Sequence, residues 1–186
     1  MSDLFTIHQE LNEVQYRVYD TLGFQYSQPV MEAESSEYGA CGFELNRQPV
    51  KFRIAKITPT KIGQFVTLWK RIEKGPIQPY DNSDSVDYFI INTRKGDHLG
   101  QFVFPKSVLC QQDVFSINGI GGKRAIRVYP PWDVAVNRQA LKTQKWQLQY
   151  FLEFPKNGGI NVARAKLLYQ KPMLDIKQIS SDMNGD

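Results

Sequence analysis

Histidine and cysteine are almost missing from this chain of 186 residues: there are two of each, His8, His98, Cys41 and Cys110. Two histidines exclude a His-rich zinc site, and Cys41 and Cys110 lack the CxxC spacing of a thiolate site or redox motif. Two cysteines make no disulfide framework, which points to a reducing compartment. No Ser or Cys stands in a recognisable nucleophile motif, so a hydrolase triad is not expected. No apolar run approaches the roughly 18 residues of a membrane helix, and the mean hydropathy is −0.43. The opening MSDLFTIHQELNEV is acidic and amphipathic, unlike a signal or transit peptide. These absences point to a soluble cytoplasmic protein without cofactor or metal.

What is present is a globular composition with 41% hydrophobic residues, including 11 Phe, 9 Tyr and 3 Trp. That is enough to build one core in a chain of this length. The expected organisation is a single domain over residues 1–176 with a polar tail over 177–186. The net charge of +4 is modest, but it is unevenly spread. Residues 1–46 hold eight acids against Arg17 alone, and residues 47–74 hold eight bases against Glu73 alone. Residues 94–145 hold nine bases against three acids. If folding gathers the two basic blocks, the molecule has a cationic face and an acidic back, a distribution that attracts polyanions. The alternative is a set of bases scattered over a solvated surface.

Leu4, Ile7, Leu11, Val14, Val18 and Leu22 recur every three or four residues before Gly23, which predicts an N-terminal helix closed by a glycine. Six runs read as strands: YGACGFELN, VKFRIAKI, QFVTLWKRI, DYFIIN, GQFVFP and AIRVYP. A helical period from Asp133 or Asn137 to about Phe154 predicts a long C-terminal helix, and NVARAKLLYQ a last helix or strand. The fold class that follows is α+β: a curved antiparallel sheet of about six strands, open to a pseudobarrel, between the two helices. KFRIAKITPTKIGQFV (51–66) and YFIINTRKGDHLGQFV (88–103) align without a gap and suggest two related hairpins.

EYGACGFELN, VKFRIAKITPTKIGQFVTLWKR, GQFVFPK, GKRAIRVYPPWD and QALKTQKWQLQYFL resemble, in that order, the MepB family over about residues 37–154. These are small bacterial cytoplasmic proteins, one of them encoded beside a multidrug efflux pump and its repressor. The resemblance implies a cytoplasmic α/β domain with nucleic-acid contact and brings no catalytic residues to carry over.

Bases interleave with aromatics in the same blocks, and long cations beside rings suit phosphate contact and base stacking. The candidate nucleic-acid-binding set is Lys51, Arg53, Lys56, Lys61, Trp69, Lys70, Arg71, Lys106, Lys123, Arg124, Arg127, Tyr129, Trp132, Arg138, Lys142 and Lys145. Arg53, Arg124 and Arg127 are the expected base-edge contacts, because a guanidinium pairs bidentately with guanine. Trp69, Tyr129 and Trp132 are the stacking candidates. Strand parity puts Lys51 and Arg53 opposite Phe52 and Ile54, and Arg127 and Tyr129 opposite Ile126 and Val128. The leading reading is a non-enzymatic nucleic-acid binder, of DNA first. One alternative is a metal-dependent nuclease using Glu44, Asp87 and Lys56. Another is a binding module for a small anionic or phosphate-bearing ligand. Gly121 and Gly122 of NGIGGK fit either an anion nest or a tight turn.

Overall fold

Gly23 ends the first helix as its position requires. In the computed structural model, which describes residues 9–170, helix α1 runs over residues 9–22 and Gly23 takes φ +68°. Phe24 N–H donates to Tyr19 O (2.8 Å), closing the last turn. Leu11, Val14 and Val18 are buried along one stripe. A π-helical stretch, Gln15–Asp20, widens the turn so that the adjacent Val18 and Tyr19 both reach the core. Leu4, Ile7 and His8 lie outside the described residues, as does the tail over 177–186.

The strands are β1 Val30–Met31, β2 Cys41–Leu45, β3 Gln48–Ile54, β4 Lys56–Thr58, β5 Lys61–Thr67, β6 Trp69–Arg71, β7 Ile77–Pro79, β8 Tyr88–Lys95, β9 His98–Pro105, β10 Ala125–Val128 and β11 Phe151–Phe154. Helices α2 Lys106–Gln111, α3 Arg138–Gln147 and α4 Val162–Tyr169, with 3-10 turns at Ser36–Tyr38 and Leu148–Tyr150, complete the described elements. One sheet has the order β1-β2-β3-β8-β9-β11, a second β10-β5-β4, and β6 pairs β7. The order of the large sheet leaves β1 and β11 at its edges, so it does not close into a barrel. It is mixed rather than antiparallel, because β3 pairs β8 in parallel, with Val50 opposite Tyr88.

The large sheet is buried on both faces, which its near-continuous apolar strands require. Phe52, Tyr88 and Ile90 pack with α1 and α4 on one side. Phe89, Ile91, Phe102 and Phe104 pack on the other with Val66, Leu68 and Val128 of the small sheet. The small sheet thus has an inner, apolar face and an outer one. A polar chain, buried except at its Arg94 end, ties the first side together. Arg94 Nε donates to Glu10 Oε1 (2.6 Å), Asn92 Nδ2 to Glu10 Oε2 (3.2 Å), Gln101 Nε2 to Asn92 Oδ1 (2.8 Å) and Tyr169 OH to Gln101 Oε1.

Two further expectations change. The long helix stops at Gln147, passes through a 3-10 turn, Leu148–Tyr150, and becomes strand β11. Phe151 and Leu152 fit a helical stripe equally well, but β9 offers them a ladder, with Phe151 opposite Phe102. The block 51–66 is not one hairpin. It leaves the large sheet at Ala55, whose N–H donates to Asn92 O (2.9 Å), and re-enters as the β4–β5 hairpin of the small sheet. Only 88–103 forms a single hairpin, β8–β9. What the two blocks do share is local. Gln64 and Gln101 are both fully buried, and Gly63 and Gly100 each lie under an aromatic ring, of Tyr129 and Phe151 respectively.

Candidate nucleic-acid interface

Of the 16 candidates, four are tied to carboxylates, three of them because the acidic N-terminal segment folds onto the first basic block instead of away from it. Arg53 is fully buried, its Nη2 donating to Glu32 Oε2 (2.6 Å), its Nη1 to Phe52 O (2.8 Å), and its guanidinium 5.3 Å from the Phe89 ring centre. It is no base-edge contact: the parity reading placed it correctly opposite Phe52, but that face of β3 is covered as well. Lys51 also pairs with Glu32, Lys70 with Asp84, and Arg71 Nε with Glu34 Oε1 (2.8 Å). Lys106 Nζ donates to the carbonyls of Asp84 (2.7 Å) and Asn82 (3.2 Å). The expected cationic face with an acidic back is therefore not what forms from residues 47–74.

The rings divide similarly. Trp69 lies beneath the Arg71 guanidinium at 5.7 Å. Trp132 is held by His98, stacked at 5.2 Å and 18°, and by the edge of Phe151. Each ring thus already carries a partner on one face. Tyr129 is half-buried over Gly63, where a Cβ would come within 2.6 Å of its ring.

Among the described residues nine candidate cations have no carboxylate partner: Lys106, held by carbonyls alone, and Lys56, Lys61, Lys123, Arg124, Arg127, Arg138, Lys142 and Lys145. Three of them belong to the outer face of the small sheet. Phe65 of β5 is flanked in register by Lys56 of β4 and Arg127 of β10, so the three side chains form one row across three strands. The alternation that sends Val66 and Val128 inward sends this row outward. Lys61, two pairs along β5, shares its parity. Arg127 is fixed, not loose: Nη2 donates to Thr58 Oγ1 (2.7 Å), Nη1 to Gly63 O (3.0 Å), and the guanidinium lies 5.9 Å from the Phe65 ring centre. Lys56 Nζ sits 5.1 Å from the ring centre of Tyr38, which itself packs 6.2 Å from Phe65. Partial burial pushes the Tyr38 hydroxyl pKa up, with exposed Glu37 adding to the shift. Glu37 is the acid that the chain brings to this rim.

Helix α3 docks on the open edge of β10. Gln147 is buried, donating to Arg127 O (2.9 Å) and accepting from Tyr129 N (2.9 Å), while Gln144 Nε2 donates to Asp133 O (2.8 Å). Asn137 caps the helix by accepting from Ala140 N–H (2.8 Å). Arg138, Lys142 and Lys145, spaced by four and three residues, are exposed on α3 beside the small sheet. Leu141 is 52% exposed, whereas Trp146 packs on Phe104 at 5.2 Å. Lys123 and Arg124 are exposed before β10, with Arg124 Nε donating to Ile77 O (3.2 Å).

The remaining chemistry is quickly placed. Glu44 faces Pro49 across β2–β3, and Asp87 N–H donates to Pro49 O (2.8 Å), so both acids sit at the start of β3. Lys56 follows the opposite end of that strand, and no nuclease trio forms. Among the described residues no three His, Cys, Asp or Glu side chains gather as metal ligands. The nest reading of NGIGGK also yields to an internal role, since Gly122 N–H donates to Asp113 Oδ1 (3.0 Å). Burial pushes the Cys41 thiol up to about 12, and raises that of Cys110, so neither is a thiolate at neutral pH. Tyr38 and Phe65 were missing from the candidate set: only the ladder register and the turn Ser36–Tyr38 bring them to the cations, and neither is a local sequence signal.

A family model described as MepB-like matches residues 32–153. A solved crystal structure of MepB is similar at 36% sequence identity and a TM-score of 0.68, covering 71% of this chain and 89% of that one. No curated protein matches.

Proposed function

The chain belongs to the MepB-like family, and from that premise we propose that it binds nucleic acid, DNA first, in the bacterial cytoplasm and without catalysis. The observation that carries the reading is the row Lys56–Phe65–Arg127, two cations and a ring in cross-strand register with no carboxylate in the row. Lys56, Lys61 and the α3 cations Arg138, Lys142 and Lys145 supply exposed phosphate contacts. Arg127, anchored by Thr58 and Gly63 O, is the positioned guanidinium of the set. Phe65 and Tyr129 are both half-buried, so their rings are only partly open to a nucleic acid. Such a surface favours backbone contact over base readout, and so weak sequence preference. No helix among the described residues is long and apolar enough to cross a membrane.

The test is a salt titration with a fluorescent duplex and its separated strands. Four or five neutralised phosphates give a log–log slope of about −4 on duplex DNA. The double variant Lys56→Glu with Arg127→Glu is expected to abolish binding at low salt. No binding by the unmodified chain at about 50 mM salt, where phosphate contacts are strongest, overturns the proposal. So does a double variant that binds as well as the parent.

A further inference from the structure

The β4–β5 turn faces the segment 132–134 across an open cleft of about 420 Å³. Three β-branched side chains on its walls stand in solvent: Ile57 at 57%, Ile62 at 42% and Val134 at 74% exposure. One exposed apolar residue calls for no account, but three around one concavity do. Trp132 lines the same cleft. His98 covers one face of its indole and Phe151 meets it edge-on at 5.6 Å and 74°, so the ring is immobilised before any ligand arrives.

The charges of the cleft leave a remainder of one. Lys95 Nζ donates to Asp133 Oδ1 (2.9 Å), and Asp133 is only 5% exposed, so this pair cancels. Lys61 lines the cleft and has no carboxylate partner among the described residues. A complementary guest has a flat apolar body for Trp132 and the β-branched walls, and a single negative charge for Lys61. Lys95 is taken up by Asp133, so the cleft has no second cation for another negative charge, which disfavours a phosphate dianion. We propose that this cleft binds a small aromatic monoanion, an arene carboxylate or sulfonate. The proposal does not rest on nucleic-acid binding, although Lys61 serves both surfaces.

The experiment titrates 1-naphthoate into the ¹⁵N-labelled full chain and follows the three tryptophan indole N–H signals. The Trp132 signal is expected to shift and saturate, while those of Trp69 and Trp146 stay in place. Lys61→Glu, at an exposed turn, is expected to weaken binding about five- to tenfold. Val134→Asp on the facing wall is expected to weaken it as well, as is replacing the probe by neutral 1-naphthalenemethanol or by AMP. Lys142→Glu with Lys145→Glu, which targets DNA alone, leaves naphthoate binding intact. Shifts that do not saturate, equal affinity for the neutral probe, or an unchanged Lys61→Glu each overturn the proposal.

Discussion

Arg53 and Glu32 meet at 2.6 Å with no part of Arg53 exposed. The pair fastens the connection after α1 to the centre of the large sheet, and it converts a cation of the first basic block into core structure. Breaking one partner of a buried pair is far more damaging than replacing both, because the survivor keeps its desolvation cost. Glu32→Ala is therefore expected to lower stability by about 3 kcal/mol, read from urea midpoints. Glu32→Ala combined with Arg53→Met is expected to recover much of that loss. A double variant as unstable as Glu32→Ala contradicts this account.

The ion pairs also separate cations of equal formal charge. Lys70 is joined to Asp84, whereas among the described residues Lys56 meets the Tyr38 ring and no carboxylate. Lys56→Ala is expected to weaken DNA binding several-fold and make the salt slope shallower by about 0.9. Lys70→Ala is expected to leave both within error. Equal effects of the two substitutions mean that overall charge, not the outer face of the small sheet, governs binding.

How far the chain could be read beforehand depended on the range of each interaction. The stripe Leu11–Val14–Val18 with Gly23, and the β8–β9 hairpin, are local patterns, and the structure contains them. Parity in AIRV separated Val128 from Arg127 correctly, because alternation is a property of one strand. Charge blocks misled because Glu32 and Glu34 lie 21 and 37 residues before their arginine partners, and no periodicity encodes such pairings. The parallel β3–β8 pair and the strand at Phe151–Phe154 were hidden for the same reason: an apolar run that suits a helix suits a buried strand too.

Gly-Gln-Phe-Val occurs twice, and its glycines mark the places where a neighbouring ring comes close to the backbone. A Cβ on Gly100 would overlap the Phe151 ring, and Gly63 adds a φ of +80° to its contact with Tyr129. Gly100→Ala is expected to cost about 1–3 kcal/mol, the range for forcing an extra methyl into a packed site. Gly63→Ala is expected to cost at least as much, from strain at positive φ. The two differ in consequence: Gly100 supports the β9–β11 ladder, whereas Gly63→Ala shifts Tyr129 and weakens DNA binding too. Thermal melts and the DNA titration, run on both variants, check this. A Gly63→Ala variant with full affinity removes Tyr129 from the interface.

Asp81 gives the fold an acid-sensitive joint. Its carboxylate accepts from Gly119 N–H (2.9 Å), from Ser83 N–H (3.0 Å) and hydroxyl (2.7 Å), and from the Ser116 hydroxyl (2.8 Å). The Gly119 N–H, followed by the Ser83 and Ser116 donors, holds the carboxyl well below the usual carboxylate range. A folded-state value below the unfolded one means a contribution fully present above about pH 4, the unfolded value, and lost as pH falls through the folded one. Asp81→Asn keeps the shape but not the charge, so it is expected to be less stable than the parent at pH 7, with the gap closing only in strong acid. Urea midpoints for both chains across an acid series measure the gap directly, and the Gly119 amide signal is expected to hold its position through pH 4. A gap that is already closed at pH 4, or that widens as acid is added, shows that the Asp81 charge does not hold the 81–84 and 116–119 segments together.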